Sequence, residues 1–159
     1  MPFNVALIHP QIPSNTGNIG RLCVATSTAL HLVEPFGFDI SDKQLKRAGL
    51  DYWPHLSCTT HKNIAALFTS MAKCPFVMLS SNTGRPLWDH EFTESEFLLF
   101  GCEQWGLPSD LMDMYSDHCL TIPQYSDNVR CLNLANAVAI TLYEALRQTR
   151  CTPATGQTP

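Results

Sequence analysis

FLLFGCEQWGLP, residues 97–108, reads as a buried strand running into a helix. Phe97–Phe100 is an apolar run of the kind found where a parallel strand is covered on both faces, and Gly101 ends it. Pro108 suits the first turn of a helix reaching about Tyr115. Between strand and helix lies a short polar turn bounded by Gly101 and Gly106.

The same pattern recurs on both sides. Upstream, Asn4–His9 (NVALIH) predicts a buried strand, and Pro10–Asn15 a loop with two prolines. A helix is expected from about Asn15 to Ser27, with Ile19, Leu22 and Cys23 at helical spacing and Asn15 or Ser14 as its cap. Leu30–Val33 predicts the second strand. Ser41 and Gln44 have capping-box spacing, which predicts a short helix over Lys43–Ala48. A strand around Leu56–Thr59, a helix over about Asn63–Ala72, a strand at Phe76–Leu79 and a turn at Asn82-Thr83-Gly84 follow. Downstream, Leu120–Ile122 is the last strand. Leu134, Val138, Leu142 and Leu146 then define a long amphipathic helix over Leu132–Arg147. Strands alternating with helices imply an α/β fold, a mostly parallel sheet flanked by helices.

The chain has 159 residues, 45% of them hydrophobic, enough for one well-buried domain and too few for two. That domain is expected to span residues 1–151, and the short polar tail 152–159 to be disordered. No signal-peptide pattern and no membrane-length apolar run is present, so a cytoplasmic protein without membrane association is expected. Seven cysteines without a CxxC pair and six histidines without ligand spacing predict no metal.

The net charge of −4 argues against a protein that coats nucleic acid with positive charge. A local patch is compatible with it. Lys43, Lys46 and Arg47 form either a solvated helix face or a short track for phosphates.

Ligands in open α/β folds sit beyond the carboxyl ends of the strands. Three loops there are rich in asparagine, glycine and proline: Pro13–Gly20, Gly101–Pro108 and Pro123–Asn133. The first continues as NTGNIGR, Asn15–Arg21, which makes neither a GxGxxG turn nor a Walker motif, and the chain has no GxSxG elbow. Arg21 reads either as a holder of phosphate or of a developing oxyanion, or as a surface ion pair. Asn15 reads as a cap or as a site residue. Glu103 is an acceptor for hydroxyl or amine groups, or an exposed turn residue. Asn133 can satisfy free amides where the long helix begins.

Taken together and in this order, the three loops resemble the three motifs of the SpoU branch of the SPOUT RNA methyltransferases. The resemblance runs from Asn4 to about Arg150 and includes KRAGLDYW, Lys46–Trp53. It is nearest to the minimal bacterial tRNA (cytidine/uridine-34-2'-O)-methyltransferases. It implies a five- or six-stranded parallel sheet with a C-terminal trefoil knot, a homodimer, and S-adenosylmethionine bound mainly through main-chain groups at Leu79, Gly101, Ile122, Cys131 and Leu132. Arg21 corresponds to the family's catalytic arginine, with Asn15 beside it, and Glu103, Arg130 and Asn133 shape the substrate pocket. A guanidinium is a charge carrier rather than a base, so fixing phosphate and stabilising alkoxide is the role that fits Arg21.

The implied partner is a tRNA anticodon stem-loop. Lys43, Lys46 and Arg47 become candidates for backbone contact, and Tyr52 or Trp53 for stacking, dimer contact or plain packing. Two positions depart from the family pattern. Cys131 stands where serine is usual, and Trp105 where an arginine often precedes Gly-Leu-Pro. The alternatives are a methyltransferase for ribosomal RNA or another tRNA position, and a non-catalytic RNA-binding protein of the same fold.

Overall fold

The computed structural model describes residues 3–39, 52–81 and 84–149. Lys43, Lys46 and Arg47, the expected helix over Lys43–Ala48, the Asn82-Thr83 part of the expected turn and the tail 152–159 lie outside the described residues.

Seven strands form one sheet: β1 (Asn4–Ile8), β2 (Ala29–Val33), β3 (Cys58–His61), β4 (Phe76–Leu79), β5 (Arg85–Pro86), β6 (Phe97–Phe100) and β7 (Cys119–Thr121). Their order is β3-β2-β1-β6-β4-β7-β5, and every pairing is parallel. The expected five or six strands become seven because Arg85 and Pro86 pair with Leu120 and Thr121.

Side chains of successive strand residues point to opposite faces, so each strand feeds two cores. Helix α1 (Pro13–Ala25) and helix α4 (Leu134–Thr149) cover one face, where Ile19, Cys23, Val138 and Leu142 pack on Val5, Leu7, Leu98 and Phe100. Helix α2 (Ile64–Met71) and helix α3 (Ser109–Met114) cover the other. There Leu67, Met71 and Leu111 pack on Ala6, Ile8, Met78 and Leu99. All four residues of β6 are buried, as its unbroken apolar run requires.

Several boundaries differ from expectation for local reasons. α1 begins at Pro13, whose fixed φ and missing N–H suit the first helical position, so neither Ser14 nor Asn15 is its cap. It ends at Ala25 rather than Ser27, which takes a left-handed φ of 54°. β3 starts at Cys58 rather than Leu56, because Trp53–His55 forms a 3-10 turn that Leu56 terminates. Asn63 is the cap of α2, accepting from the Ala66 amide at 2.8 Å. β7 is displaced by one residue, to Cys119–Thr121. α4 starts at Leu134 instead of Leu132, since Asn133 Oδ1 caps it by accepting from the amides of Ala135 (2.9 Å) and Asn136 (3.4 Å).

Candidate active site

A cavity of about 550 Å³ opens at the carboxyl ends of β4, β6 and β7, a size within the roughly 300–1,000 Å³ of small-molecule sites. Leu79, Gly101, Ile122, Cys131 and Leu132, the five positions expected to hold a methyl donor, all line it. They come together because adjacent parallel strands end side by side, each releasing its loop toward the same opening.

Three polar side chains, Asn15 in the first turn of α1, Glu103 in the second loop and Asn133 at the cap of α4, form a chain in the wall of this cavity. The stretch Pro13–Gly20 that was expected as a loop is the start of α1. Asn133 Nδ2 donates to Asn15 Oδ1 at 3.1 Å, and Asn15 Nδ2 donates to Glu103 Oε1 at 3.1 Å. Asn15 is buried. The Glu103 carboxylate also accepts from the backbone amides of Gln11 (2.8 Å) and Ile12 (3.2 Å), just ahead of α1. Its negative charge therefore sits at the positive end of α1 and supplies acceptors that no residue within that helix provides. Glu103 accepts three hydrogen bonds from the protein itself, which makes it a support for the start of α1.

The second loop is a closed turn. Cys102 N donates to Gly106 O at 3.1 Å, and Gly106 N donates to Cys102 O at 2.9 Å. Gly106 has φ 73°, a left-handed conformation that glycine adopts without strain. At Gly101 the constraint is space: a Cβ there would lie 1.9 Å from the Gly106 carbonyl carbon.

Arg21 occupies a different place. It projects from the exposed stripe Ser14, Asn18, Arg21 and Ala25 of α1, six residues beyond Asn15 and outside the cavity lining. Its guanidinium carbon lies 4.9 Å from the centre of the Tyr52 ring, and the Tyr52 hydroxyl donates to the Gly17 carbonyl. A Cβ on Gly20 would lie 3.2 Å from the Trp53 ring and 3.6 Å from that of Tyr52. Tyr52 thus orients Arg21, and both aromatics pack on α1. Arg130 is exposed and donates to the Gln104 carbonyl at 3.4 Å, which ties the third loop to the second.

Residues outside the sequence-derived set also line the cavity, among them Ser80, Ser81, Met112 and Gln124. Gln124 Oε1 is buried and takes no hydrogen bond. An unsatisfied buried acceptor favours a ligand that brings an N–H or O–H to it. With Gly101 held tight against the Gly106 backbone and a largely apolar lining, this fits S-adenosylmethionine, whose amino and exocyclic amine groups are donors. The signal for Gln124 was its place in the loop of residues 123–133, but a lone glutamine carries no motif. Among the described residues, no three His, Cys, Asp or Glu side chains converge on a possible metal position, and no helix is long and apolar enough to cross a membrane.

Residues 2–143 match the SpoU rRNA Methylase family. A Methylovorus glucosotrophus protein named tRNA (cytidine(34)-2'-O)-methyltransferase is 42% identical over 147 residues, covering 92% of this chain and 95% of its own. A solved structure described as giving insights into the 2-OH methylation of C/U34 on tRNA superposes with a TM-score of 0.88 at 38% identity, covering 94% of this chain and 97% of that one. The SpoU methyltransferase AviRb of Streptomyces viridochromogenes, solved with the cofactor AdoMet, gives a TM-score of 0.79 at 25% identity. It covers 93% of this chain and 58% of that one.

Proposed function

The chain belongs to the SpoU methylase family, and we propose the following division of labour for its residues. The protein is an S-adenosylmethionine-dependent enzyme that methylates the ribose 2'-hydroxyl of nucleotide 34, cytidine or uridine, in tRNA. The observation that carries this reading is the cavity at the strand ends, lined by all five expected donor positions and braced by Asn15, Glu103 and Asn133.

S-adenosylmethionine supplies the methyl group on a sulfonium, already a good leaving group. Transfer would form an O–CH3 bond at the ribose and break the S–CH3 bond, with the donor leaving as the neutral thioether S-adenosylhomocysteine and the hydroxyl proton passing to solvent. The protein's task is therefore alignment and charge control. Leu79, Gly101, Ile122, Cys131 and Leu132 hold the donor, largely through backbone groups. Glu103 acts indirectly, fixing Asn15 and the start of α1. Arg21 fixes a phosphate and stabilises charge on the ribose oxygen, with Asn15, Arg130 and Asn133 around the acceptor.

The working unit is a homodimer. Arg21 lies outside its own chain's cavity lining, which suits a site completed across two chains. Exposed Ile140 and Tyr143 on α4, in line with Asn136 and Arg147, supply an apolar stripe for a second copy, with the small residues Ala135 and Ala139 nearby. The RNA partner is an anticodon stem-loop, whose unpaired bases can be splayed into a site. Lys43, Lys46 and Arg47 track its phosphates, residues 1–151 act as one catalytic domain, and the enzyme works in the cytoplasm. Mapping 2'-O-methyl groups in tRNA and ribosomal RNA from cells with and without the protein tests the assignment. Loss confined to tRNA nucleotide 34 is expected, and loss confined to ribosomal RNA would overturn it.

A further inference from the structure

We propose that Trp105 is a base-stacking residue of the substrate site, its indole packing against a nucleobase that flanks the methylated nucleotide. The inference rests on the reading that the substrate is a tRNA, and names the residue that grips it.

Trp105 lines the rim of the cavity yet is 82% exposed. Leaving an indole in water forgoes one of the largest hydrophobic gains a side chain offers. The position is not a floppy tip. The Cys102–Gly106 backbone pair closes the turn, and the Trp105 amide donates to Cys102 Sγ at 3.4 Å. The ring is thus presented to solvent on a braced turn that needs little further ordering when a partner arrives.

The surroundings suit a nucleic acid. Tyr125, 91% exposed, follows the cavity residue Gln124 on the third loop and offers a second aromatic face. Arg130 reaches the carbonyl of Gln104, next to Trp105, and brings an exposed guanidinium suited to phosphate. Glu103 already accepts three N–H groups and is committed to the start of α1. Of the second loop's exposed side chains, Gln104 and Trp105, only the indole offers a face on which a base can stack. Exposed aromatics beside cationic groups are the means by which unpaired bases are held, and every base has a face to stack. The apolar stripe assigned to a second copy lies on another element, α4.

The test uses the full chain with an unmodified tRNA whose anticodon begins with cytidine. Trp105→Ala should raise the KM for tRNA roughly 10- to 100-fold, the scale of losing one stacked base. Turnover at saturating tRNA and affinity for S-adenosylmethionine should stay within about twofold of wild type, and Trp105→Phe should recover most of the loss. In parallel, an anticodon stem-loop carrying 2-aminopurine beside nucleotide 34 should lose fluorescence on binding the wild type and Trp105→Phe, but not Trp105→Ala. An unchanged KM with full quenching in Trp105→Ala would overturn the proposal. So would loss of donor affinity, which would put the indole in the donor site, or conversion of a dimer to a monomer, which would make it a subunit contact. If the wild type bound the stem-loop with quenching but transferred no methyl group, the functional assignment would fail while the stacking stood.

Discussion

Asn133 and Asn15, 118 positions apart in sequence, are joined by a 3.1 Å hydrogen bond from Nδ2 of the first to Oδ1 of the second. The same Asn133 caps α4 through its Oδ1, and the same Asn15 donates to Glu103. Each asparagine uses both ends of its amide. The starts of the two helices on one face of the sheet are therefore fixed to each other and to the Gly101–Pro108 loop.

Glu103→Ala should test this brace. It removes the acceptor for the Gln11 and Ile12 amides and for the Asn15 side chain, so it acts as a lost cap and should cost about 1–2 kcal/mol in urea denaturation. Methyl transfer should fall as the start of α1 loosens. A variant with wild-type stability would show that the three hydrogen bonds carry no weight.

Gly101→Ala should be more damaging at the site. The added Cβ would lie 1.9 Å from the Gly106 carbonyl carbon, so backbone, not a yielding side chain, must move. We expect an overpacking cost of about 2 kcal/mol or more and at least a ~10-fold loss of donor affinity by calorimetry. Donor affinity equal to wild type would mean that the two glycines need not approach so closely.

Much of this was legible in advance. The alternation of β1, β4, β6 and the long helix could be read because burial on both faces writes unbroken apolar runs, and one-sided burial writes a helical stripe. Glycine, proline and asparagine marked the loops Gly101–Pro108 and Pro123–Asn133, whereas Pro13–Gly20, marked in the same way, is the start of α1. What could not be read was pairing across the chain. Nothing in the sequence ties Glu103 to the amides before α1, or Asn15 to Asn133 rather than to its own helix as a cap. Gln124 and the two-residue strand Arg85–Pro86 were missed because neither has a periodicity of its own, each being defined by what lies beside it.

On the other sheet face, His31 Nδ1 and His61 Nε2 lie 3.0 Å apart. Burial, with the neighbouring His61 adding to it, pushes His31 down from 6.5 to about 4, and burial lowers His61 as well. The contact needs one N–H and one bare nitrogen, so it is lost if both rings are fully protonated. The unfolded chain takes up the His31 proton below about pH 6.5, while in the folded chain His31 stays neutral until about pH 4. Stability is therefore full above pH 6.5 and falls as pH drops toward 4. Urea titrations at pH 7.5, 6 and 5 should show this decline, and His31→Gln should flatten it. An unchanged slope in the variant would contradict the buried neutral pair.

Arg21→Ala should fold, dimerise and bind S-adenosylmethionine, because the residue is exposed and outside the donor cavity lining. An effect confined to the transition state should appear in turnover, and single-turnover methyl transfer to tRNA should fall at least ~100-fold. Arg21→Lys should restore little, since an ammonium cannot reproduce a planar fork over the Tyr52 ring. Near-normal turnover in the alanine variant would return Arg21 to a surface role.

One atom, the 2'-oxygen of nucleotide 34, is expected to receive the methyl group. This is tested most directly with the purified protein, labelled S-adenosylmethionine and two otherwise identical tRNAs, one with an ordinary ribose at position 34 and one with a 2'-deoxyribose there. One methyl group per molecule is expected on the first, located at nucleotide 34, and none on the second. Equal labelling of both, or labelling of neither by a protein that binds donor and tRNA, would contradict it.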